Sequence, residues 1–497
     1  MRATFLGTLL CGVVVLAVGA CSADNATTTT TTPTTDAGTD SGATTGDGGS
    51  DAGTTALASF CTSGVILDFA PGQEQALLDA VNNVPAQCTT IRLASGTFKM
   101  PNAITIRQAG ITVIGAGKGA QGQLTGTTTS TVLDFTSAVA NANGVDHVGD
   151  YFTIKNVAII GAPNDALRVE SSTNVRIQAV RAEWAAENLT TNGKYGLYPV
   201  KSTNVLIEDS EAYNAADAGI YVGQTTNSII RNNIAKKNVA GIEVENCLHA
   251  EASGNTAEDN TTGLVVFDLP GNPIAGTDIK LFNNTVTGNN RANFGASTVG
   301  AVPAGTGTFV MASRRVEITG NTYGNNVTTD VAVINGLSLQ SNPSAWMQAN
   351  NFQTNDVWVH ANIMQGTSGT NVDNGNIDPV NRPLGYVLKQ LYPTADNSGV
   401  ESFLWDGIGT NPLLDDSLVD DINLCIDGNT FPVLPGIVPA PVTTKQIADL
   451  DLAYTGALVK GGNSAGARAK VGHVNQGVAP FNCTGFTPAL TAVTLPE

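Results

Sequence analysis

Tyr195, Tyr198 and Lys201 lie within one short stretch, NGKYGLYPVKSTNV. Arg168 stands in DALRVESSTNVRIQ and Tyr221 in AGIYVGQTTNSIIR, segments that can be laid over the first. Phenols and cations at matching places suit removal of a proton next to a carboxylate. That step needs a cation to neutralise the carboxylate, a base, and an acid or a donor on the other face. Arg168 or Lys201 could neutralise, and Tyr198 or Tyr221 could move the proton. The chemistry would be elimination or epimerisation of a uronate polymer.

An insertion, EWAAENLTTNGK, makes this unit eight residues longer than its neighbours. Long loops on a repetitive scaffold often carry function. The loop is expected to overhang an outward column made of Arg168, Tyr198, Tyr221, Glu243 and Val265. Glu187, Asn192, Tyr195, Asp217, Glu243, Glu245 and Asp268 are then the candidate substrate-binding side chains. Glu243, Glu245 and Asp268 could also hold calcium, although solvated surface acids are the plainer reading. Stacked tyrosines with Arg168 as a cation–π partner would need no ligand at all. Catalysis, sugar binding and a purely structural or docking role all stay open at this point.

The scaffold that must position these residues is a repeat. DALRVESSTNVRIQ starts at Asp165, YGLYPVKSTNVLIE at Tyr195, AGIYVGQTTNSIIR at Ala218, AGIEVENCLHAEAS at Ala240 and TGLVVFDLP at Thr262. The spacing settles at 22 residues, and each unit alternates apolar and polar residues. That is the pattern of one coil in a solenoid. Leu167, Leu197, Ile220, Ile242 and Leu264 form one inward column, and Val169, Pro199, Val222, Val244 and Val266 another. Two asparagine columns follow: Asn233, Asn255, Asn284, Asn321, then Asn238, Asn260, Asn289, Asn326. Stacked amides can bond to the coils above and below.

The flanks fit that architecture. PGQEQALLDAVNNV from Pro71 places Ala76, Leu77, Ala80, Val81 and Val84 at helical spacing, which predicts a short helix capping the open end of the solenoid. NRPLGYVLKQLYP predicts a second short helix in a C-terminal cap, where the repeat fades. Cys61 and Cys88 flank the start of the fold and are paired, as are Cys425 and Cys483 near its end; Cys247 is expected as a buried free thiol. At the N-terminus, Arg2 and the apolar stretch Phe5 to Val18 read as an export signal too short to span a membrane. It ends in VGAC, which resembles a bacterial lipobox with Cys21 as the lipidated residue. Ser22 after it resembles an outer-membrane address. The Thr-, Gly- and Asp-rich run that follows predicts a flexible stalk.

Only 13% of the 497 residues are charged, and the net charge is −18. Such a surface disfavours nucleic acid, and no basic cluster offsets it.

VRAEWAAENLTTNGKYGLYPVKSTNVLIE, DAGIYVGQTTNSIIRNN, NVAGIEVEN, GLVVFDLPGNP and AVPAGTGTFVMASRRVEITGN together resemble right-handed parallel β-helix proteins of the pectate-lyase-like superfamily. Within it they resemble an exported bacterial group, some of whose members are encoded beside cytochrome c-like proteins. The resemblance runs from about Phe152 to Gly336, with GVAPFNC as a further patch. It implies an all-β, single-stranded right-handed β-helix. YGLYP also resembles the YG-x-D-P-H stretch of alginate epimerases, but Tyr198 and Val200 stand where that motif has Asp and His. The expectation is therefore a signal peptide over residues 1–20, a tether over 21–58, the β-helix over 59–336, and last coils with a disulfide-locked cap over 337–497. The expected protein is a monomer held at the membrane only by its lipid. Its partner is an acidic polysaccharide, bound or processed by a lyase or C5-epimerase reaction, or else another exported protein such as a cytochrome c-like one.

Overall fold

The computed structural model describes residues 60–82, 87–296, 298–336, 352–365, 368–378, 382–391, 402–405, 423–430, 443–447, 471–476, 481–482 and 485–496. The signal, lipobox and tether expectations, including Cys21, lie outside these residues.

Each coil has three strands. Leu197–Val200, Thr203–Glu208 and Glu211–Tyr213 make one coil, and Ala218–Gly223, Thr226–Arg231 and Ile234–Lys236 make the next. Every strand pairs in parallel with its counterpart one coil on. The first strands of the coils make up a 12-stranded sheet that ends in one antiparallel strand, Val471–Asn475, and the second and third strands share a 20-stranded sheet. The protein is an all-β parallel β-helix. The register is the expected one: Leu167, Leu197, Ile220, Ile242 and Leu264 are successive partners. All are buried between 0% and 1% exposed, so each contributes about 1.5–3 kcal/mol of burial.

The asparagines do two jobs. In the stacked columns each amide joins neighbouring coils: Asn255 Nδ2 donates to Asn284 Oδ1 at 3.0 Å and to Ile230 O at 2.9 Å. Its Oδ1 accepts from the Asn233 backbone and side chain at 2.9 and 3.0 Å. This column runs past Asn321 to Asn362 and Asn429. Other asparagines turn corners. Asn174, Asn204, Asn227, His249 and Asp278 have φ of 62, 56, 57, 58 and 61°. Asn and Asp enter that left-handed region more readily than other non-glycine residues.

The N-terminal helix covers Glu74–Asn82 and buries Leu77, Leu78 and Val81. Ala76, expected to face inward, is exposed, and Leu78 takes that role. Cys61 and Cys88 are bonded, with their Cα atoms 5.4 Å apart, and Cys247 is a buried free thiol. Cys425 is also disulfide-bonded, while Cys483 lies outside the described residues. The coils continue beyond Gly336: Asn355–His360, Phe403–Trp405 and Leu424–Asp427 extend the parallel ladders. The second helix is Pro383–Leu391. Its Leu384 and Leu388 belong to an apolar cluster with Val265, Phe267, Phe309 and Met311, on the outer side of the 12-stranded sheet. The fold thus has a second core outside the coils, because the outward residues on this face change from polar to apolar along the axis.

Candidate functional site

That change of character defines the site. Along one outward column the residues are Arg168, Tyr198, then Tyr221, Glu243, Val265, Phe309 and Ala332. The neighbouring column runs Glu170, Val200, Gly223, Glu245, Phe267, Met311 and Ile334. From Val265 onward the face is apolar and covered. Before it lies a ledge of tyrosines and carboxyl groups.

Tyr195, Tyr198 and Tyr221 interlock as a triangle, with ring centroids 4.5, 4.8 and 4.9 Å apart. Tyr221 is 4% exposed, and Tyr195 and Tyr198 are half-buried. The Tyr221 ring lies across Gly223, where a Cβ would fall 2.2 Å from a ring carbon. Its hydroxyl thereby bonds Glu245, the strand partner of Gly223. Glu245 also accepts from Asn272 Nδ2 at 3.1 Å and bonds the Glu243 carboxyl. Burial pushes both carboxyl groups up, with Asp217 nearby adding to it. Two acids this close in a dry site cannot both ionise cheaply, so the pair holds a proton between them. Glu243 Oε2 has no hydrogen-bond partner.

Burial also raises Asp165 and Asp268 to about 7. Asp268 accepts from the Gly276 backbone at 2.5 Å and from Ser313 Oγ at 3.2 Å, so it closes the Asp268–Gly276 loop beside Asn272. Among the described residues, no group of three or more His, Cys, Asp or Glu is placed to hold a metal ion. Glu243, Glu245 and Asp268, expected as solvated or calcium-binding, are instead buried at 4%, 8% and 1% exposed, and the candidate substrate-binding Asp217 is 3% exposed.

The proposed proton-transfer residues lie together, but both cations pair with Glu170. Lys201 turns a corner with φ 51° and bonds Glu170 at 3.2 Å, and Arg168 also pairs with Glu170. Burial raises the phenols of Tyr195, Tyr198 and Tyr221. Raised phenols hold their protons and are poor bases near neutral pH. The insertion departs from expectation too. Glu187 bonds Lys237 at 2.5 Å and Arg291 at 3.0 Å, and Asn192 Nδ2 donates to Ala186 O and Asn214 O, each at 2.7 Å. Both residues tie the loop to the corner before the 12-stranded sheet, so neither joins the ledge. Gly193 lets it pack this tightly, since a Cβ there would sit 1.7 Å from Asn164 O. Sequence reasoning missed Asp165, Glu170, Gly223 and Asn272. Glu170 alone had a signal, two residues from Arg168 on the same strand face.

Residues 139–323 match the family described as a right handed beta helix region. Among solved structures, the A-module of mannuronan C-5 epimerase AlgE4 from Azotobacter vinelandii is 16% identical, with TM-score 0.40, over 60% of this chain and 84% of that one. An alginate lyase from Paenibacillus sp. is 16% identical, with TM-score 0.36, over 61% and 96%. Endopolygalacturonase I from Stereum purpureum is 14% identical, with TM-score 0.39, over 61% and 95%. No curated protein matches the chain.

Proposed function

We propose that this protein binds an acidic polysaccharide on the ledge of Arg168, Lys194, Tyr195, Tyr198 and Lys201, as an exported protein anchored through Cys21. The carrying observation is the layering of charge. Lys194 and Lys201 are exposed and Arg168 is half-buried, with Glu170 between Arg168 and Lys201. Burial raises Asp165 and the Glu243–Glu245 pair beneath the rim, so these acids carry less negative charge than solvated carboxylates would. Tyr195 and Tyr198 offer partly open ring surface against which a sugar can pack. Binding is favoured over chemistry because the tyrosines keep their protons and, among the described residues, Arg168 and Lys201 both pair with Glu170.

The test is affinity for uronate polymers against neutral ones, measured at several salt concentrations. Lys194→Ala with Lys201→Ala should weaken uronate binding by about tenfold and flatten its salt dependence. Tyr198→Ala should weaken it further. An ultraviolet-absorbing unsaturated product, or solvent hydrogen entering the polymer, would show that the ledge is catalytic after all.

A further inference from the structure

Gly485–Pro496 runs back along the outside of the 20-stranded sheet, across the strands. Gly485 lies against the Trp358 ring, where a Cβ would sit 2.6 Å from a ring carbon. Phe486 packs edge-on to Trp358 at 6.2 Å and under the Arg315 guanidinium at 5.2 Å. Arg315 Nη2 then donates to Pro488 O at 2.9 Å. His249 Nε2 bonds Thr491 O at 2.9 Å. Glu251 Oε1 accepts from the Val493 backbone at 3.0 Å, and Arg176 donates to Pro496 O.

These anchors span five coil steps, from Arg315 to Arg176. Five steps are ~24 Å, and the eight residue-to-residue steps from Pro488 to Pro496 reach ~26 Å when extended. The segment is therefore almost taut. Among the described residues, none of its backbone groups bonds the backbone of a coil. The coils hold it by side chains aimed at its main-chain carbonyls and amide. Within residues 485–496 only Val493 is buried, at 6% exposed. This is how a protein surface holds an extended peptide: main-chain contacts give affinity, and one seated side chain gives register.

We infer that this face is a peptide-binding track, and that residues 485–496 are its resident but replaceable occupant. The track takes an extended peptide whose carbonyls meet Arg315, His249 and Arg176 and whose small branched apolar residue fills the Val493 seat. The inference does not depend on the polysaccharide ledge, which lies on the other sheet.

The experiment uses the full-length protein and a labelled synthetic peptide, GFTPALTAVTLPE. In Val493→Asp protein the resident segment is loosened, because a charge replaces a buried valine. That protein should bind the peptide saturably and about tenfold or more tighter than the unaltered chain does. Adding Arg176→Ala should reduce the binding, and a peptide carrying the same Val→Asp change should bind far more weakly. Absence of saturable binding, or indifference to either change, overturns the inference. Hydrogen exchange of the unaltered protein gives an independent reading. Residues 485–496 should exchange by local opening, well ahead of the coil strands. Exchange only with global unfolding would mean a permanent staple and would also overturn it.

Discussion

Tyr221 reaches Glu245 only because Gly223 has no side chain. The phenol lies over Gly223, and Glu245 is the residue paired with Gly223 on the next strand. A tyrosine, a glycine and a glutamate on two adjacent coils thus form one unit. Gly223→Val should displace the ring, break its bond to Glu245, and cost about 1–3 kcal/mol through overpacking. Thermal melting checks the cost. In the Tyr221→Ala background the same change should cost much less, since the clash is gone.

The buried acids make stability fall as pH rises. Asp165 and Asp268 titrate near 7 in the fold, against an ordinary 3.8, and burial raises the Glu243–Glu245 pair from its ordinary 4.5 in the same direction. Between those limits the folded chain binds more protons than the unfolded one, so unfolding becomes easier with rising pH. Buried His147, lowered to about 4, acts oppositely, but only up to its ordinary 6.5. The acid effect is therefore cleanest from about pH 6.5 to 7.5. The melting temperature should drop across that window, and Glu243→Gln with Glu245→Gln should flatten the drop. A melting temperature that climbs there would contradict the buried-proton account.

Ile220 is 0% exposed between Leu197 and Ile242 in the inner stack. Ile220→Asp should cost about 4 kcal/mol or more, by placing a charge among apolar side chains. Chemical denaturation measures it, and a near-normal midpoint would refute the register.

Asn255→Ala removes the acceptor for two groups of Asn233 and the donor to Ile230 O. Each buried group left unpaired costs about 1–3 kcal/mol. The expected loss exceeds that for Asn204→Ala, a corner residue whose side chain is half-buried. Paired denaturation curves give the comparison.

The proposed anchoring rests on VGAC and the polar run after it. Cys21→Ser should move the protein from the membrane fraction to the soluble one on cell fractionation. Unchanged membrane association would remove the lipid from the account.

Much of the coil was legible in the chain itself, because inward positions repeat with the coil and alternate along each strand. A period of 22 residues and columns such as Leu197–Ile220–Ile242 sufficed to assign the fold, the register and the stacked amides. The corner role of Asn204 and Asn227 was hidden, since an amide in a turn and an amide in a stack look the same in sequence. Outward residues were the harder case. Alternation correctly pointed Tyr198, Tyr221 and Glu243 away from the coil interior, yet it is silent on what covers them. Helix Pro383–Leu391, far along the chain, packs onto the same outer face as Val265 and Phe309, so outward there means buried. Burial in turn sets the protonation of the carboxyl pair and withholds the phenols from acting as bases. Local pattern determines which way a side chain points; only the packing of distant segments decides whether water, and hence charge, can reach it.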